Sequence, residues 1–260
     1  MRTLIGCLAL ILAACTTTTT TQTASRLETT PRHDEWVDIG KTRTYVVYPQ
    51  RSTKAPAVVV IHENRGLTDW VRTVADRLAE EGYIALAPDL LTGTAPGGGN
   101  TKDFPTEDAA REAIGKLDRM KVIEELRGVV EYARKIPAAN GQVSVGGFCW
   151  GGSRTWDVAN NVDGIRMAFP FYGGGPQDAE GVAGIEAPVY GFYGGNDARV
   201  NATIDRTAEV MKAAGKTFEP VIYEGAGHAF MRLGELPDAI EANRKAREEG
   251  WARWLELLKR

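Results

Sequence analysis

The sequence predicts an α/β domain in which a mostly parallel central sheet carries helices on both faces. Residues 57–61 form a continuous run of alanine, valine and isoleucine, which is typical of a strand buried on both faces of a parallel sheet. From about residue 57 onwards, such runs alternate with segments that place apolar residues at helical spacing. Strand–helix–strand alternation of this kind packs helices against both sides of one sheet.

Each element is predicted from its own residue pattern. Residues 36–48 alternate weakly around a Gly40-Lys41 turn and predict an antiparallel hairpin ahead of the parallel strands. The later strands are predicted at residues 57–61, 83–87, 143–147, 165–172, 188–193 and 217–223. Four helices are predicted between these strands. The first ends at Gly82, the second spans residues 118–135, and the third ends near residue 160. The fourth carries the apolar stripe Val200, Ile204, Ala208 and Met211.

A last helix is predicted to close the chain. Asp238 and Glu241 stand three residues apart in a capping-box pattern at its start. Its inner face is predicted to consist of Trp251, Trp254, Leu255 and Leu258. Residues 90–106 predict a long loop, which in compact domains is usually functional or disordered, and a polar segment leads from it to the helix at residue 118.

The N-terminus is predicted to lie outside the domain. Residues 1–14 combine a short positive start with an apolar run too short to span a bilayer, which predicts a secretory signal peptide. Leu12-Ala13-Ala14-Cys15 is similar to a bacterial lipobox, so Cys15 is expected to be lipidated; the alternative is an ordinary signal with a chance cysteine. Thr16 follows in place of aspartate, which favours the outer membrane of a Gram-negative bacterium, facing the periplasm.

The domain itself is predicted to span residues 35–260, a length that suits one α/β domain with a sizeable core. Residues 15–34 hold a threonine run and polar residues, which predicts a flexible tether. A lipid on Cys15 would hold the domain at a membrane face without a spanning helix. The net charge of −3 and the lack of a basic stripe argue against nucleic-acid binding.

Three cysteines have different expected fates. Cys7 is lost with the signal and Cys15 is lipidated, which leaves Cys149 as the thiol of the domain. A lone thiol in an exported protein is either reactive or buried and inert. Cys149 lies at the tip of Gly147-Phe148-Cys149-Trp150-Gly151, the thiol counterpart of the G-x-S-x-G turn that raises a nucleophile above an α/β-hydrolase sheet. Glycines are expected there because strand and helix approach closely.

Three polar residues each follow a predicted strand. Cys149, Asp197 and His228 occur in the order nucleophile, acid, histidine, which is the α/β-hydrolase order. A thiol attacks as a thiolate, so His228 is expected to serve as its base and Asp197 to fix the imidazole tautomer. Taken singly, Asp197 has the alternative of a turn aspartate and His228 that of a loop histidine. Their joint occurrence favours catalysis.

Two backbone N–H groups are expected to form an oxyanion hole. One belongs to Trp150, directly after the nucleophile, and the other to the loop after the early strand, at Asn64. Phe148 and Trp150 are expected to be packing residues, with a place in the pocket wall as the alternative for Trp150. His62 ends the same early strand and is expected to line the site or to be structural.

Four motifs together resemble the dienelactone hydrolase family of α/β-hydrolases, over residues 36–260. The resemblance implies an α/β-hydrolase fold and hydrolysis of carboxylic esters or lactones, of the carboxymethylenebutenolidase type. It implies a thioester intermediate and no metal or organic cofactor. The motifs are His62-Glu63-Asn64-Arg65-Gly66-Leu67, Gly146-Gly147-Phe148-Cys149-Trp150-Gly151-Gly152, Tyr193-Gly194-Gly195-Asn196-Asp197 and Gly227-His228-Ala229-Phe230.

The resemblance implies further roles at matching positions. Glu63 contacts the resting thiol and takes part in its activation when substrate binds. Arginines hold a substrate carboxylate, and Arg232, four residues past His228, fits one of them. Arg111 lies in the region of the second, with a solvated helix arginine as the alternative. A small ester or lactone is the expected partner, the membrane is met only through the lipid, and a monomer is expected.

Two other functions remain open from the sequence. A lipoprotein that keeps the fold for ligand binding would carry a degenerate site, and the intact set of Cys149, Asp197, His228 and Glu63 argues against it. A thiol redox sensor at Cys149 is the other alternative. It is disfavoured because the mature domain has no resolving cysteine.

Overall fold

An eight-stranded sheet organises the computed structural model of the chain, which describes residues 26–260. The strands are β1 (Asp34–Ile39), β2 (Thr42–Val47), β3 (Ala55–Ile61), β4 (Ile84–Asp89), β5 (Ala139–Phe148), β6 (Ala168–Phe171), β7 (Val189–Gly194) and β8 (Phe218–Tyr223). Their spatial order is β1-β2-β4-β3-β5-β6-β7-β8. The β1–β2 hairpin and the β2–β4 pair are antiparallel, and all other pairs are parallel.

Helices cover both faces of this sheet. Between residues 35 and 260 they are α1 (Asp69–Glu80), α2 (Glu107–Gly115), α3 (Arg119–Lys135), α4 (Trp150–Asn161), α5 (Ala198–Asn201), α6 (Ile204–Ala213), α7 (Phe230–Leu233) and α8 (Glu241–Leu258). Alternate residues of β3 point to opposite faces: Val58 and Val60 pack with α1 and α8, whereas Val59 and Ile61 pack with α3 and α4. The predicted fold class and the N-terminal hairpin are therefore confirmed.

The segment between β4 and α3 is more ordered than its polar sequence indicates. Residues 96–98 and 101–103 form two 3₁₀ turns within the predicted loop. Asp89, at the end of β4, accepts hydrogen bonds from the Thr101 N–H at 2.9 Å and from the Thr101 hydroxyl at 2.6 Å. Helix α2 follows, capped by the Thr106 hydroxyl, and its short inward face of Ala110 and Ile114 explains why apolar periodicity did not predict it.

The last two helical predictions need correction. The stripe from Val200 to Met211 is divided between α5 and α6, because Thr203 interrupts the helix and its hydroxyl binds the Val200 carbonyl at 2.7 Å. The predicted capping box at Asp238 and Glu241 is wrong, since α8 begins at Glu241 after Ile240, with no side-chain cap. The fully buried face of α8 includes Trp254, Leu257 and Leu258, whereas Trp251 and Leu255 are half-buried against the same core.

Residues 26–34 pack on the domain, although a free tether was expected up to residue 34. Asp76 of α1 is fully buried and accepts hydrogen bonds from Arg32 at 2.7 and 2.8 Å and from the Thr30 hydroxyl at 2.6 Å. The Arg26 Nε atom lies 2.8 Å from the same carboxylate. Burial opposes ionisation of Asp76, but the hydrogen bonds from Arg32 and Thr30 outweigh it and lower its pKa.

The predicted signal peptide, the lipidation site Cys15 and the first part of the tether lie outside the described residues. Between residues 26 and 260, no helix is both long and apolar enough to cross a bilayer.

Candidate active site

Three strand ends bring the predicted reactive residues to one edge of the sheet. Strands β5, β7 and β8 run parallel and end at Phe148, Gly194 and Tyr223. The segments that follow them carry Cys149, Asp197 and His228. Since the carboxyl ends of parallel strands share an edge, residues separated by up to 79 positions in the sequence become neighbours.

The turn at Cys149 is strained and tightly packed. Cys149 has φ 56° and ψ −113°, a conformation that few residues other than glycine adopt, and its N–H donates to the Phe171 carbonyl at 3.0 Å. A Cβ atom at Gly147 would lie 2.3 Å from the Gly151 carbonyl oxygen. A Cβ atom at Gly151 would lie 2.4 Å from the His62 carbonyl oxygen. The flanking glycines are therefore required by backbone contacts, as the motif predicted.

A continuous hydrogen-bonded chain joins the three residues. The His228 Nε2 atom lies 3.0 Å from the Cys149 sulfur, and the His228 Nδ1 atom lies 2.5 Å from a carboxylate oxygen of Asp197. Asp197 is buried, at 6% exposure, and its other oxygen accepts from the Val200 N–H of α5. Burial opposes a charged imidazole, but the hydrogen bonds to Cys149 and Asp197 outweigh it and raise the pKa of His228 to about 9.

Glu63 is paired with Arg232 rather than with the thiol. The Arg232 Nε atom donates to one oxygen of Glu63 at 2.8 Å, and both side chains are largely buried. Within residues 26–260, the other oxygen of Glu63 has no hydrogen-bond partner. In the described part of the chain no hydrogen bond joins Glu63 to the resting thiol, because Glu63 is paired with Arg232 and the Cys149 sulfur is paired with His228 Nε2.

A cavity of about 390 Å³ opens beside the Cys149 sulfur. Its wall includes Asn64, Trp150 and Tyr172, so both residues of the expected oxyanion hole border it. In the described chain, no acceptor is found for the Asn64 N–H, and the Trp150 N–H stands at the first position of α4, where no intrahelical acceptor exists. Two free backbone donors thus border the space next to the sulfur.

The charged side chains that line this cavity are all arginines. Arg111 was predicted, whereas Arg154 and Arg199 were not; Arg232 does not line it. Arg111 is exposed and lies 2.7 Å from Asp108, and Arg154 lies 3.0 Å from Asp157 and stacks over the Trp150 ring. In the described chain, Arg199 has no carboxylate partner. Arg199 lies two residues after Asp197, and this position in the sequence could have indicated that Arg199 is near the site.

Tyr172 was also missed by the sequence analysis. It follows β6, has φ 39°, and its ring packs edge-on against His228 with ring centres 5.1 Å apart. Burial, with a smaller contribution from Glu63, raises the pKa of Tyr172 well above its usual value, so the phenol is neutral. Its strand-end position, equivalent to that of Cys149 after β5, was the available signal.

His62 is fully buried behind the cavity wall. Its Nδ1 atom lies 2.7 Å from the Glu63 carbonyl oxygen, and its Nε2 atom accepts from the Leu90 N–H at 3.2 Å. The ring also stacks on Trp150, with centres 5.5 Å apart and planes inclined by 13°. No group of three or more His, Cys, Asp or Glu residues within the described range is arranged to hold a metal ion.

Comparisons with known proteins identify the family that this chain resembles in sequence. The family model described as "Dienelactone hydrolase family" matches residues 42–260. A "Putative carboxymethylenebutenolidase" of Methylorubrum extorquens is 33% identical over 197 residues, which cover 72% of this chain and 67% of the relative. The "Carboxymethylenebutenolidase" of Pseudomonas putida is 31% identical over 183 residues, which cover 68% of this chain and 76% of the relative.

Solved structures are similar over most of the chain. The "Putative Dienelactone Hydrolase" of Klebsiella pneumoniae has a TM-score of 0.74 at 25% identity and covers 86% of this chain and 96% of its own. The acylaminoacyl peptidase of Pyrococcus horikoshii has a TM-score of 0.65 at 15% identity and covers 88% of this chain but 42% of its own. At that identity the second likeness concerns the fold alone.

Proposed function

Because the chain belongs to the dienelactone hydrolase family and is a hydrolase of this type, we propose that it cleaves a carboxylic ester or lactone through Cys149. The distance of 3.0 Å between the Cys149 sulfur and His228 Nε2 carries this proposal, since it lets one proton pass between nucleophile and base. The strained turn, which raises the sulfur beside the cavity, supports it.

The proposed acylation step uses the charged pair of sulfur and imidazole. The Cys149 thiolate attacks the carbonyl carbon, and the carbonyl oxygen becomes an oxyanion that the Asn64 and Trp150 N–H groups bind. The oxyanion then collapses, the carbon–oxygen bond to the leaving group breaks, and His228 Nε2–H gives its proton to the departing alkoxide. In a lactone, this alkoxide stays attached through the ring carbons.

The proposed deacylation step returns the enzyme to its starting state. Neutral His228 takes a proton from water, and the hydroxide formed adds to the thioester carbonyl. The carbon–sulfur bond breaks, the carboxylic acid leaves, and the thiolate is again paired with the charged imidazole. Asp197 holds His228 Nδ1–H throughout, which keeps Nε2 directed at the sulfur and stabilises the charged ring.

The cavity also supports a proposal for substrate class. Its charged lining consists of Arg111, Arg154 and Arg199, with no carboxylate in the lining. Arginine binds carboxylates through paired hydrogen bonds, so an ester or lactone that carries a negative charge would be favoured. Arg232 keeps the role that the family resemblance implies only if the substrate competes with Glu63 for its guanidinium.

Two substitutions at Cys149 test the mechanism. Cys149→Ala is expected to abolish turnover of p-nitrophenyl acetate and of small enol-lactones while the protein stays folded. Cys149→Ser, which keeps a nucleophile of similar shape, is expected to retain a small residual rate. Rapid quenching of the wild type with substrate should trap an acyl adduct on Cys149 by mass spectrometry. Full activity in the alanine variant would refute the proposal.

We also propose that the chain is a lipoprotein anchored through Cys15 to the outer membrane, facing the periplasm. The lipobox-like Leu12-Ala13-Ala14-Cys15 and the threonine at position 16 support this location. Expression in a Gram-negative host with labelled palmitate should give a labelled protein in the outer-membrane fraction. Cys15→Ser should remove the label. A labelled serine variant, or an unlabelled wild type, would contradict the anchor.

A further inference from the structure

The buried ring of His62 is not used by the proposed reaction, yet its two hydrogen bonds define its state. A carbonyl oxygen only accepts, so the Nδ1 atom that lies 2.7 Å from the Glu63 carbonyl must carry a proton. A backbone N–H only donates, so the Nε2 atom that faces Leu90 must be bare. Burial also lowers the pKa of His62, which agrees with a neutral ring.

The bond to Glu63 determines where the next N–H points. The carbonyl of Glu63 and the N–H of Asn64 belong to one peptide unit, which is planar and trans, and their bonds therefore point in opposite directions. His62 holds the carbonyl on the interior side, with a weaker second bond from the Gly66 N–H at 3.3 Å. The Asn64 N–H is consequently turned away from His62, and Asn64 borders the cavity.

The same residue contacts the second expected donor. The His62 ring is stacked on the Trp150 ring, and the His62 carbonyl packs so closely on the first turn of α4 that Gly151 has no room for a Cβ atom. One side chain thus connects the peptide that bears the Asn64 N–H with the helix start that bears the Trp150 N–H. Small changes in such spacing cost an enzyme much of its rate.

We propose that His62 is a positioning residue for the oxyanion hole, which sets the direction of the Asn64 N–H and its distance from the Trp150 N–H. This inference rests on the proposed hydrolysis through Cys149. His62 itself does not touch substrate, and neither its protonation state nor its charge changes during the reaction.

Two substitutions separate the two hydrogen bonds of the ring. His62→Gln places an amide oxygen near the former Nε2 position, where it accepts from Leu90, but leaves the Glu63 carbonyl without its donor. His62→Asn does the reverse, since its amide N–H reaches the position of Nδ1. We expect His62→Gln to lower kcat by about 10- to 100-fold and to leave KM for p-nitrophenyl butyrate nearly unchanged. This loss of kcat is no larger than the loss caused by removing one oxyanion-hole donor. His62→Asn should stay within about fivefold of the wild type.

Two further measurements distinguish positioning from a general structural role. The rate at which iodoacetamide alkylates Cys149 should not change in His62→Gln, because His228 and Asp197 are untouched. A trifluoromethyl ketone, whose carbonyl carbon is attacked by the sulfur and whose oxygen becomes an oxyanion, should bind more weakly by about the factor lost in kcat. A merely structural role would slow alkylation and lower thermal stability in both variants alike.

The possible results distinguish a failure of the His62 proposal from a failure of the proposed hydrolysis through Cys149. Equal losses of kcat in the Gln and Asn variants, or wild-type kcat in His62→Gln, would overturn the role of His62 while leaving the hydrolysis intact. A wild type that turns over no ester or lactone would instead refute the proposed function. If His62→Gln does not fold, His62→Phe keeps an aromatic ring against Trp150 without either nitrogen, and it should show the same loss of kcat at unchanged alkylation rate.

Discussion

His228 and Cys149 are 79 residues apart in the chain, and the Nε2 atom of the first lies 3.0 Å from the sulfur of the second. The other ring nitrogen is held by Asp197, so the imidazole is fixed from both sides. Because its pKa is raised to about 9, the ring is charged at neutral pH and can give a proton to the leaving group in the proposed reaction.

The raised pKa of His228 predicts the pH dependence of acylation. The charged ring predominates below pH 9 and is lost as the pH rises through about 9. For an alkyl ester, whose leaving alkoxide needs a proton, kcat/KM should therefore fall above about pH 9. p-Nitrophenyl acetate is the control, because its leaving group departs without a proton and its kcat/KM should not fall in the same range. A flat alkyl-ester profile from pH 7 to about 10 would contradict the role of His228 as the acid.

Arg199 is expected to select negatively charged substrates. It lines the cavity beside Cys149, and in the described chain no carboxylate neutralises it. Arg199→Ala should lower kcat/KM for the mono-p-nitrophenyl ester of succinate by about tenfold, the value of one charged hydrogen bond. Hydrolysis of p-nitrophenyl butyrate, which is similar in size but neutral, should not change.

Arg206→Ala is the matched control for that measurement. Arg206 is exposed on α6, pairs with Glu209 and does not line the cavity. If both variants lose activity on the anionic ester equally, the effect comes from the overall field of the protein and not from the cavity.

Gly147 is expected to tolerate no side chain. Its Cβ would lie 2.3 Å from the Gly151 carbonyl oxygen, and backbone cannot move aside without displacing α4. Gly147→Ala should lower kcat by about 100-fold, because a shift at the start of α4 would displace both the Cys149 sulfur and the Trp150 N–H. Gly128→Ala in α3 is the control, since its Cβ would meet nothing closer than 4.0 Å and alanine favours helix. A Gly147→Ala variant with wild-type kcat would show that the turn can shift freely.

Asp76 is expected to contribute to stability only when ionised. Asp76→Asn should lower the free energy of unfolding at pH 7 by about 2 kcal/mol, because two arginines lose their buried partner. The native pKa of Asp76 is lowered, so its contribution is present above the unfolded value of about 4 and disappears as the pH falls through the native value.

Urea denaturation at two pH values measures this dependence. The difference between wild type and Asp76→Asn should be largest near neutral pH and should shrink towards about pH 3 or below. The exposed Asp205 of α6 supplies the control, and Asp205→Asn should stay within about 0.5 kcal/mol of the wild type at both pH values. A difference that grows on acidification would have the wrong sign.

Strand order explains why much of the candidate site could be predicted from sequence. Parallel strands bring their carboxyl ends to one edge of the sheet. Identifying the strands that precede Cys149, Asp197 and His228 was therefore enough to predict that these residues lie together. Glu63 was placed at the same edge, but its pairing with Arg232 depends on side-chain packing across 169 residues of sequence and has no local pattern.

The elements that were missed or wrong share a physical cause. Helix α2 buries two residues, which gives little periodicity, and the cap of α8 depends on the turn before it. The contacts of Arg32 with Asp76 span 44 residues, so composition alone described the segment as a tether. Arg154 and Arg199 enter the cavity through the geometry of α4 and α5, and a single arginine in a sequence resembles any surface arginine.

If Cys15 is lipidated as proposed, the docking of Arg26 on α1 also limits how far the domain can stand from the membrane. Eleven peptide steps separate Cys15 from Arg26, and a chain of that length spans at most about 40 Å even when fully extended. With Cys15 anchored as proposed, the ion pair between Arg26 and Asp76 sets a ceiling of about that height above the lipid for the nearest face of the enzyme. Without this ion pair the segment between the proposed lipid and the domain would be longer, so the same contact would limit how far from the membrane the active site can meet its substrate.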